Sequence, residues 1–383
     1  MGEPCMPNPR YRPVASGPSE RPRIPAARTR VLESTLLAAL LVLLAAIGLR
    51  TPTALPAVGW ILATVAAFLA ARTAASHWPR LPAALVLVGA AGIGLIGAAG
   101  SDLFDRLEGP LGYSNATAAF AVVATAAALV VRARTQAPLG RVLLLLVASL
   151  TALVPPIVAS RTGTAAVVLV LLAAVPMVER TSRRHLAVIG AVTVTGIVAA
   201  SILLATVARP AGRILGVADR AWTPSVTERI RLWREGVELF LSAPMAGVGL
   251  GRFGPSGTPA RAVFEHYAHN EYLQVAAETG LLGLTALVAV LAWLAHRLAA
   301  PDADPATTVG LLLMAGLGTH AALDHVLHIP AVALAAAVTL GGLLNRRRTA
   351  RPVEPPASSP GDGDSTTPGS TRPTLHVVPR SQP

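Results

Sequence analysis

The residues best equipped for chemistry gather between positions 209 and 283. Residues 209–268 hold eight arginines (Arg209, Arg213, Arg220, Arg229, Arg231, Arg234, Arg252, Arg261) against five acids (Asp219, Glu228, Glu235, Glu238, Glu265). An arginine stays protonated, and its fork bonds two oxygens of one anion at once, so such an excess suits an anionic substrate. His269-Asn270 follows directly. An imidazole with an ordinary pKa of about 6.5 is mostly neutral near pH 7 and able to accept a proton. Glu278 stands near the start of the next long apolar run. A carboxylate there is costly and usually faces a polar cavity or a partner.

Each of these residues has a plainer reading beside the chemical one. Ser225-Val-Thr-Glu228 fits a capping box, and the helix it opens runs from about Val226 to Leu241. Ile230, Trp233, Val237, Phe240 and Leu241 then fall on one apolar stripe. Arg231 precedes Glu235 by four residues and Arg234 precedes Glu238 by four, so both also read as surface ion pairs. Arg229 lies on another side of the helix, with Trp233 one turn on as a cation–π partner. Gly249, Gly251 and Gly254 spell G-x-G-x-x-G, but no strand precedes them, so a tight turn with close backbone packing is the favoured reading. A lone histidine at a membrane edge is more often an interfacial hydrogen-bonder than a catalyst. On a helix, Leu273, Ala276, Gly280 and Gly283 would share the azimuth of His269, and small residues there admit a close neighbour. Asp102-Leu-Phe-Asp105 reads as a solvated loop. His320, Asp324, His325 and His328 gather at one end of an apolar run. His320 and Asp324 are one turn apart and could hold zinc, yet no H-E-x-x-H or cysteine supports that, so they read as polar residues lining a cavity.

The elements that must position these residues are apolar. Of 383 residues, 53% are hydrophobic and 14% charged, with a mean hydropathy of +0.57. An ordinary soluble domain carries about 25% charged residues, so the composition excludes a disordered chain and argues for a membrane protein. Runs long enough to span fall at roughly 31–49, 54–71, 81–100, 114–131, 141–159, 164–178, 185–208, 273–296, 306–323 and 329–345. The expectation is an all-α polytopic domain, residues 31–345, of about ten spans, with Pro155-Pro156 breaking the fifth. The Pro- and Arg-rich tail 1–30 and the Pro/Ser/Gly/Thr-rich tail from 346 to 383 read as disordered. All 32 basic residues are arginine. With the N-terminus inside, inner segments hold most of them, and the short outer loops keep only Arg50, Arg106 and Arg161. The positive-inside rule then puts both termini in the cytoplasm of a multi-pass plasma-membrane protein. Most of the +12 net charge is topology and needs no nucleic-acid partner. Residues 209–268 become one large extracytoplasmic loop whose arginines ask for another reason. Cys5, the single cysteine, can form neither an internal disulfide nor a thiolate metal site.

His269-Asn270, nine further residues and Gly280-x-x-Gly283 together resemble the signature of the O-antigen ligase / O-antigen polymerase superfamily. The stretch Arg229…Trp233…Pro244…Gly247-Val-Gly-Leu-Gly-Arg-Phe253 resembles that family's large extracytoplasmic loop. The likeness is specific over about residues 225–285, and Ser160-Arg161-Thr162-Gly163 looks like the family's Ser-Arg-Gly turn. It implies an all-helical fold related to the GT-C glycosyltransferases. It also implies transfer of a glycan from undecaprenyl pyrophosphate to a glycan or lipid acceptor at the membrane, without a nucleotide sugar, cofactor or metal. Arg161 and Arg229 would then grip the pyrophosphate and His269 would deprotonate the acceptor hydroxyl. Asn270, Glu278, Arg231, Arg252 and Trp233 would line the substrate site. The chain is shorter than ligases of about twelve spans, and their R-x-x-x-L motif is not evident, so polymerase stands beside ligase. A lipid-linked glycan transporter or flippase is the non-enzyme alternative, but no internal repeat supports it.

Overall fold

The computed structural model describes residues 55–99, 111–174, 183–214, 224–253, 267–300, 304 and 306–344. The expected tails 1–30 and 346–383, the run 31–49, the Asp102–Asp105 pair and Gly254 lie outside the described residues. Every regular element among the described residues is helical. In chain order these are α1 (Leu55–His77), α2 (Leu81–Ala99), α3 (Ser114–Ala133), α4 (Pro138–Ala152) and α5 (Val154–Ile157). They continue with α6 (Arg161–Leu171), α7 (Arg183–Ile214), α8 (Pro224–Ser242), α9 (Glu271–Leu298), α10 (Thr307–Ala321) and α11 (Pro330–Leu343).

The later nine expected runs each overlap described helix, but the count of spans must be corrected. Among the described residues, five helical stretches are long and apolar enough to cross a membrane: Leu55–His77, Ser114–Ala133, Pro138–Ile157, Arg183–Leu204 and Glu271–Leu298. Helices α10 and α11, with 15 and 14 residues, reach only about 22 Å and 21 Å at 1.5 Å per residue. Both are largely buried in the bundle. Apolarity in these segments therefore serves helix packing as well as lipid contact, and hydropathy alone does not separate the two.

Helix α3 is the core. Its residues are apolar and mostly small on every side, and Ala116 to Val130 are buried throughout. It packs against α2, α4, α6, α10 and α11. Small residues let helix backbones approach closely: a β-carbon on Gly316 of α10 would stand 2.9 Å from the carbonyl oxygen of Ala166 in α6. By contrast, Leu139, Val142, Leu143, Leu146 and Leu150 of α4 are exposed, as a lipid-facing surface requires. Pro155 and Pro156 do break the fifth run: α4 stops at Ala152, and the chain turns through α5 into α6. At the end of α3 near Ala133, Arg134 ties several elements together. Its guanidinium pairs with Asp304 at 2.9 Å and bonds the carbonyls of Pro79 and Gly342. Arg80 donates to the carbonyl of Arg134 at 2.8 Å.

Candidate functional site

The other end of α3 meets the start of α6, the N-terminal turns of α8 and α9, and the turn between α10 and α11. Asp324, in that last turn, is fully buried and collects donors from the α3 end, from α8, from the start of α9 and from its own turn, while α6 reaches it only through Ser160 and Asn115. Tyr113 Oη lies 2.6 Å from both carboxylate oxygens, and Asn115 Nδ2 bonds Oδ2. Arg229 Nη2 lies 3.0 Å from Oδ2, and its Nη1 donates to the carbonyl of Leu323. His269 Nδ1 and His325 Nδ1 are each 2.9 Å from Oδ1, and the His325 backbone N–H donates to Oδ1 at 2.8 Å. Burial alone would raise the Asp324 pKa, but the bonds from His269 and His325 and the charge of Arg229 outweigh it. The carboxyl is held well below the usual range and stays ionised. Tyr113 is pushed the other way, first by burial and then by the Asp324 charge, so its phenol keeps its proton as a donor.

The backbone at His269 is strained to present the ring. His269 has φ of 49°, in the left-handed region that costs a side-chain-bearing residue about 1–3 kcal/mol. Neighbours over-determine it. Trp233 Nε1 donates to the His269 carbonyl at 3.3 Å, and the Ala268 N–H donates to Gln274 Oε1 at 2.7 Å. Asn270 Oδ1 caps α9 by accepting from the N–H groups of Tyr272 and Leu273, both at 3.1 Å. His269 Nε2 makes no hydrogen bond with a described residue.

A ring stack borders this cluster. His325 lies between Tyr113 and Tyr267, with ring centroids at 5.0 Å and 4.3 Å. The turn carrying His325 is fastened to α9 by Glu271. Its Oε1 accepts from the backbone N–H of Leu327 and His328, and its Oε2 lies 2.6 Å from His328 Nδ1. Desolvation lowers the His328 pKa, but the Glu271 charge and hydrogen bond outweigh it and hold it at about 9. Burial, then the Glu278 and Glu271 charges, push the Tyr267 phenol up.

Deeper along α9 the helix is interrupted at Gly280, which has φ of 64°. The segment after α8 fills the break. Leu281 and Leu282 donate to the carbonyls of Pro244 and Met245 at 2.8 Å and 3.3 Å, while Val248 and Gly249 donate to Ala277 and Glu278, both at 2.9 Å. A β-carbon on Gly280 would stand 2.5 Å from the carbonyl carbon of Met245, and one on Gly247 would strike the backbone of Glu278 and Thr279. Only glycine fits such backbone-to-backbone contact at positive φ. The Gly247–Gly251 stretch is thus a tight, closely packed turn, as read from the sequence. Glu278, just above the break, receives Gln274 Nε2 at 2.6 Å and the backbone N–H groups of Gly251 and Phe253.

Of the expected site residues, the structure brings His269 and Arg229 onto one carboxylate. Trp233, Asn270 and Glu278 are buried and support the backbone around them. Arg229 makes no cation–π contact with Trp233 among the described residues; Leu323 and Asp324 engage it instead. Arg231 is half-exposed and pairs with Glu228 and, at 3.9 Å, with Glu235. Glu228 has its pKa lowered by the hydrogen bond from Arg231, and α8 begins at Pro224, one residue before Ser225. Arg161 and Arg252 are exposed. Arg161 opens α6 beside Ser160, whose hydroxyl donates to Asn115 Oδ1 at 2.6 Å and accepts from the Gly163 N–H at 3.1 Å. Tyr113, Asn115 and Gln274 escaped sequence reading. Tyr113 lies 211 positions from Asp324, and its only sequence signal is a polar aromatic at the mouth of an apolar run.

His269, Asp324 and His325 place three ligand-type atoms within 4.8 Å of one another. A cation on these atoms would compete with the Tyr113 hydroxyl at Oδ1 and sit beside the Arg229 guanidinium on Oδ2. The set therefore reads as a hydrogen-bonded carboxylate with two imidazoles.

A family model described as O-antigen ligase matches residues 146–288. That segment contains Arg161, α7, α8, His269 and the Gly280 break, so the superfamily resemblance stands on the part of the chain where its motifs lie. Neither a curated protein nor a solved structure matches the chain.

Proposed function

We propose that this protein transfers a glycan from a polyprenyl pyrophosphate, of the undecaprenyl type, to an acceptor hydroxyl at the outer face of the plasma membrane. The observation that carries the reading is His269, with Nδ1 on the ionised Asp324 and Nε2 making no hydrogen bond to a described residue. A carboxylate accepting from Nδ1–H leaves the lone pair on Nε2, the form needed in a general base. The acceptor oxygen attacks the sugar C1, its proton passes to Nε2, and the C1–O bond to the diphosphate breaks with both electrons leaving on the phosphate. Arg229, a quarter exposed beside Asp324, and the exposed Arg161 offer charge to that leaving group. Arg252 is an exposed cation at the donor side and Arg231 an exposed one already paired with Glu228, while Asn270, Trp233 and Glu278 shape the site from beneath. Clustering at helix ends, away from the midplane where transporters place their ionisable groups, favours transfer over transport.

Reconstitution of the purified protein with a polyprenyl-pyrophosphate glycan tests this. Longer carrier-linked chains identify a polymerase, and glycan on a different acceptor identifies a ligase. His269→Ala abolishes transfer at unchanged abundance; substantial residual transfer removes His269 as base. Activity that survives exhaustive chelation agrees with the metal-free reading, and loss restored by added zinc overturns it.

A further inference from the structure

Helix α8 and the first turns of α9 run side by side in the same direction. Trp233 meets His269, Gly236 lies against Leu273, and Pro244 bonds Leu281. The Tyr113–Asp324 layer and the Arg134 layer lie at opposite ends of α3, whose 20 residues cover about 30 Å. That is the thickness of a hydrocarbon core, so the His269–Asp324 layer marks one edge of it. Gly280 lies nine residues beyond Glu271, about 14 Å farther along α9, and the end of α8 reaches that level.

The chemistry of α8 changes along the same path. Glu228, Arg229, Arg231, Arg234, Glu235 and Glu238 fill its first part, and no ionisable residue occurs from Leu239 to Gly251. At the far end Leu241 and Met245 are 67% and 60% exposed, beside the half-exposed Leu281 and Leu282. Irregular backbone inside a bilayer survives only where its polar groups are satisfied by protein or cavity water. The four bonds across the Gly280 break supply that satisfaction.

We propose that the end of α8 and the turn after it form a re-entrant segment whose Leu241–Met245 face rests on the acyl chains of the outer leaflet. The segment from 239 to 251, expected outside the membrane, thereby anchors the Arg229 and His269 end of the site at the headgroup level. The inference depends on the membrane fold and not on the transfer reaction.

Cys5 is the only cysteine, so a Cys5→Ala background carrying Glu228→Cys, Leu241→Cys or Met245→Cys singly allows site-specific labelling. The proteins are placed in phosphatidylethanolamine/phosphatidylglycerol vesicles with the outer face out. A membrane-impermeant maleimide reacts with the Glu228→Cys protein and fails with the other two. Nitroxides at 241 and 245 collide with oxygen in preference to a water-soluble nickel chelate, and the nitroxide at 228 shows the reverse. Reaction of all three with the impermeant reagent overturns the proposal. Shielding of 241 and 245 from oxygen and nickel alike also overturns it, since protein rather than lipid would then cover the face.

Discussion

At the scale of the residue, Asp324 does most to define the site, because one carboxylate fixes two imidazoles, a guanidinium, an amide and a phenol. Asp324→Asn keeps the size of the side chain but replaces one acceptor oxygen with a donor and removes the charge. His269 then loses its reason to hold the proton on Nδ1, and Arg229 loses its partner. We expect transfer to fall by about 100-fold or more, chiefly in kcat, with abundance near normal; an unchanged kcat would separate Asp324 from the chemistry. Glu271 and His328 act one step away, holding the turn that carries His325. The His328 pKa is raised from 6.5 to about 9 by Glu271. A raised histidine contributes stability that is complete below the unfolded value and lost as pH climbs through the folded one. The thermal stability of the purified protein is therefore expected to fall between about pH 6.5 and 9, and Glu271→Gln flattens that dependence. His269 and Arg229 were legible in the sequence as candidates, because their types and local spacing suit the proposed chemistry. The partners of Asp324 were not, because residues 113, 229, 269 and 324 meet only through the packing of helices distant in the chain.

Elements were more legible than contacts. The stripe of Ile230, Trp233 and Val237 announced α8 to within two residues at its start and one at its end. Periodicity could not show that α8 lies beside α9, nor that α9 is spliced open to receive the chain after it. The glycines carried that information in hindsight: Gly247 and Gly280 both have positive φ and both face foreign backbone. Gly280→Ala places a methyl group 2.5 Å from the Met245 carbonyl carbon and imposes a left-handed residue, a cost of about 1–3 kcal/mol before any clash is relieved. Lower abundance and a lower unfolding temperature are expected, with activity per folded molecule also reduced because the strand of chain supporting Glu278 shifts. Gly283→Ala is the informative comparison. The Gly283 Cβ would stand 2.3 Å from the Thr279 Cβ, which no side-chain rotation moves, so the helix must give there too, but without a positive φ or a backbone clash with the turn after α8, and a smaller loss than at 280 is expected. Equal losses at 280 and 283 would mean that the break is not the sensitive feature.

For the whole molecule, the two polar layers at the ends of α3 assign opposite tasks to the two faces. One layer is built from Arg80, Arg134 and Asp304 and binds helix ends together. The other holds His269, Arg229 and Asp324. Arginine bias in short loops sets orientation because translocating fixed positive charge is unfavourable. The described residues of the first layer continue that bias with Arg72, Arg132, Arg141, Arg183, Arg184 and Arg297 near the same helix ends. That bias would put the Arg134 layer in the cytoplasm and turn the His269 layer outward, where the proposed reaction needs the carrier-linked glycan. A fluorescent protein that matures only in the cytoplasm, fused at the C-terminus, is expected to fluoresce. Right-side-out vesicles are expected to transfer glycan from donor supplied outside, and inverted vesicles only after permeabilisation. A dark C-terminal fusion together with active inverted vesicles would reverse the orientation. Charge bias would then not be what orients this chain, and the arginines around the site would need to be read as part of the cytoplasmic set.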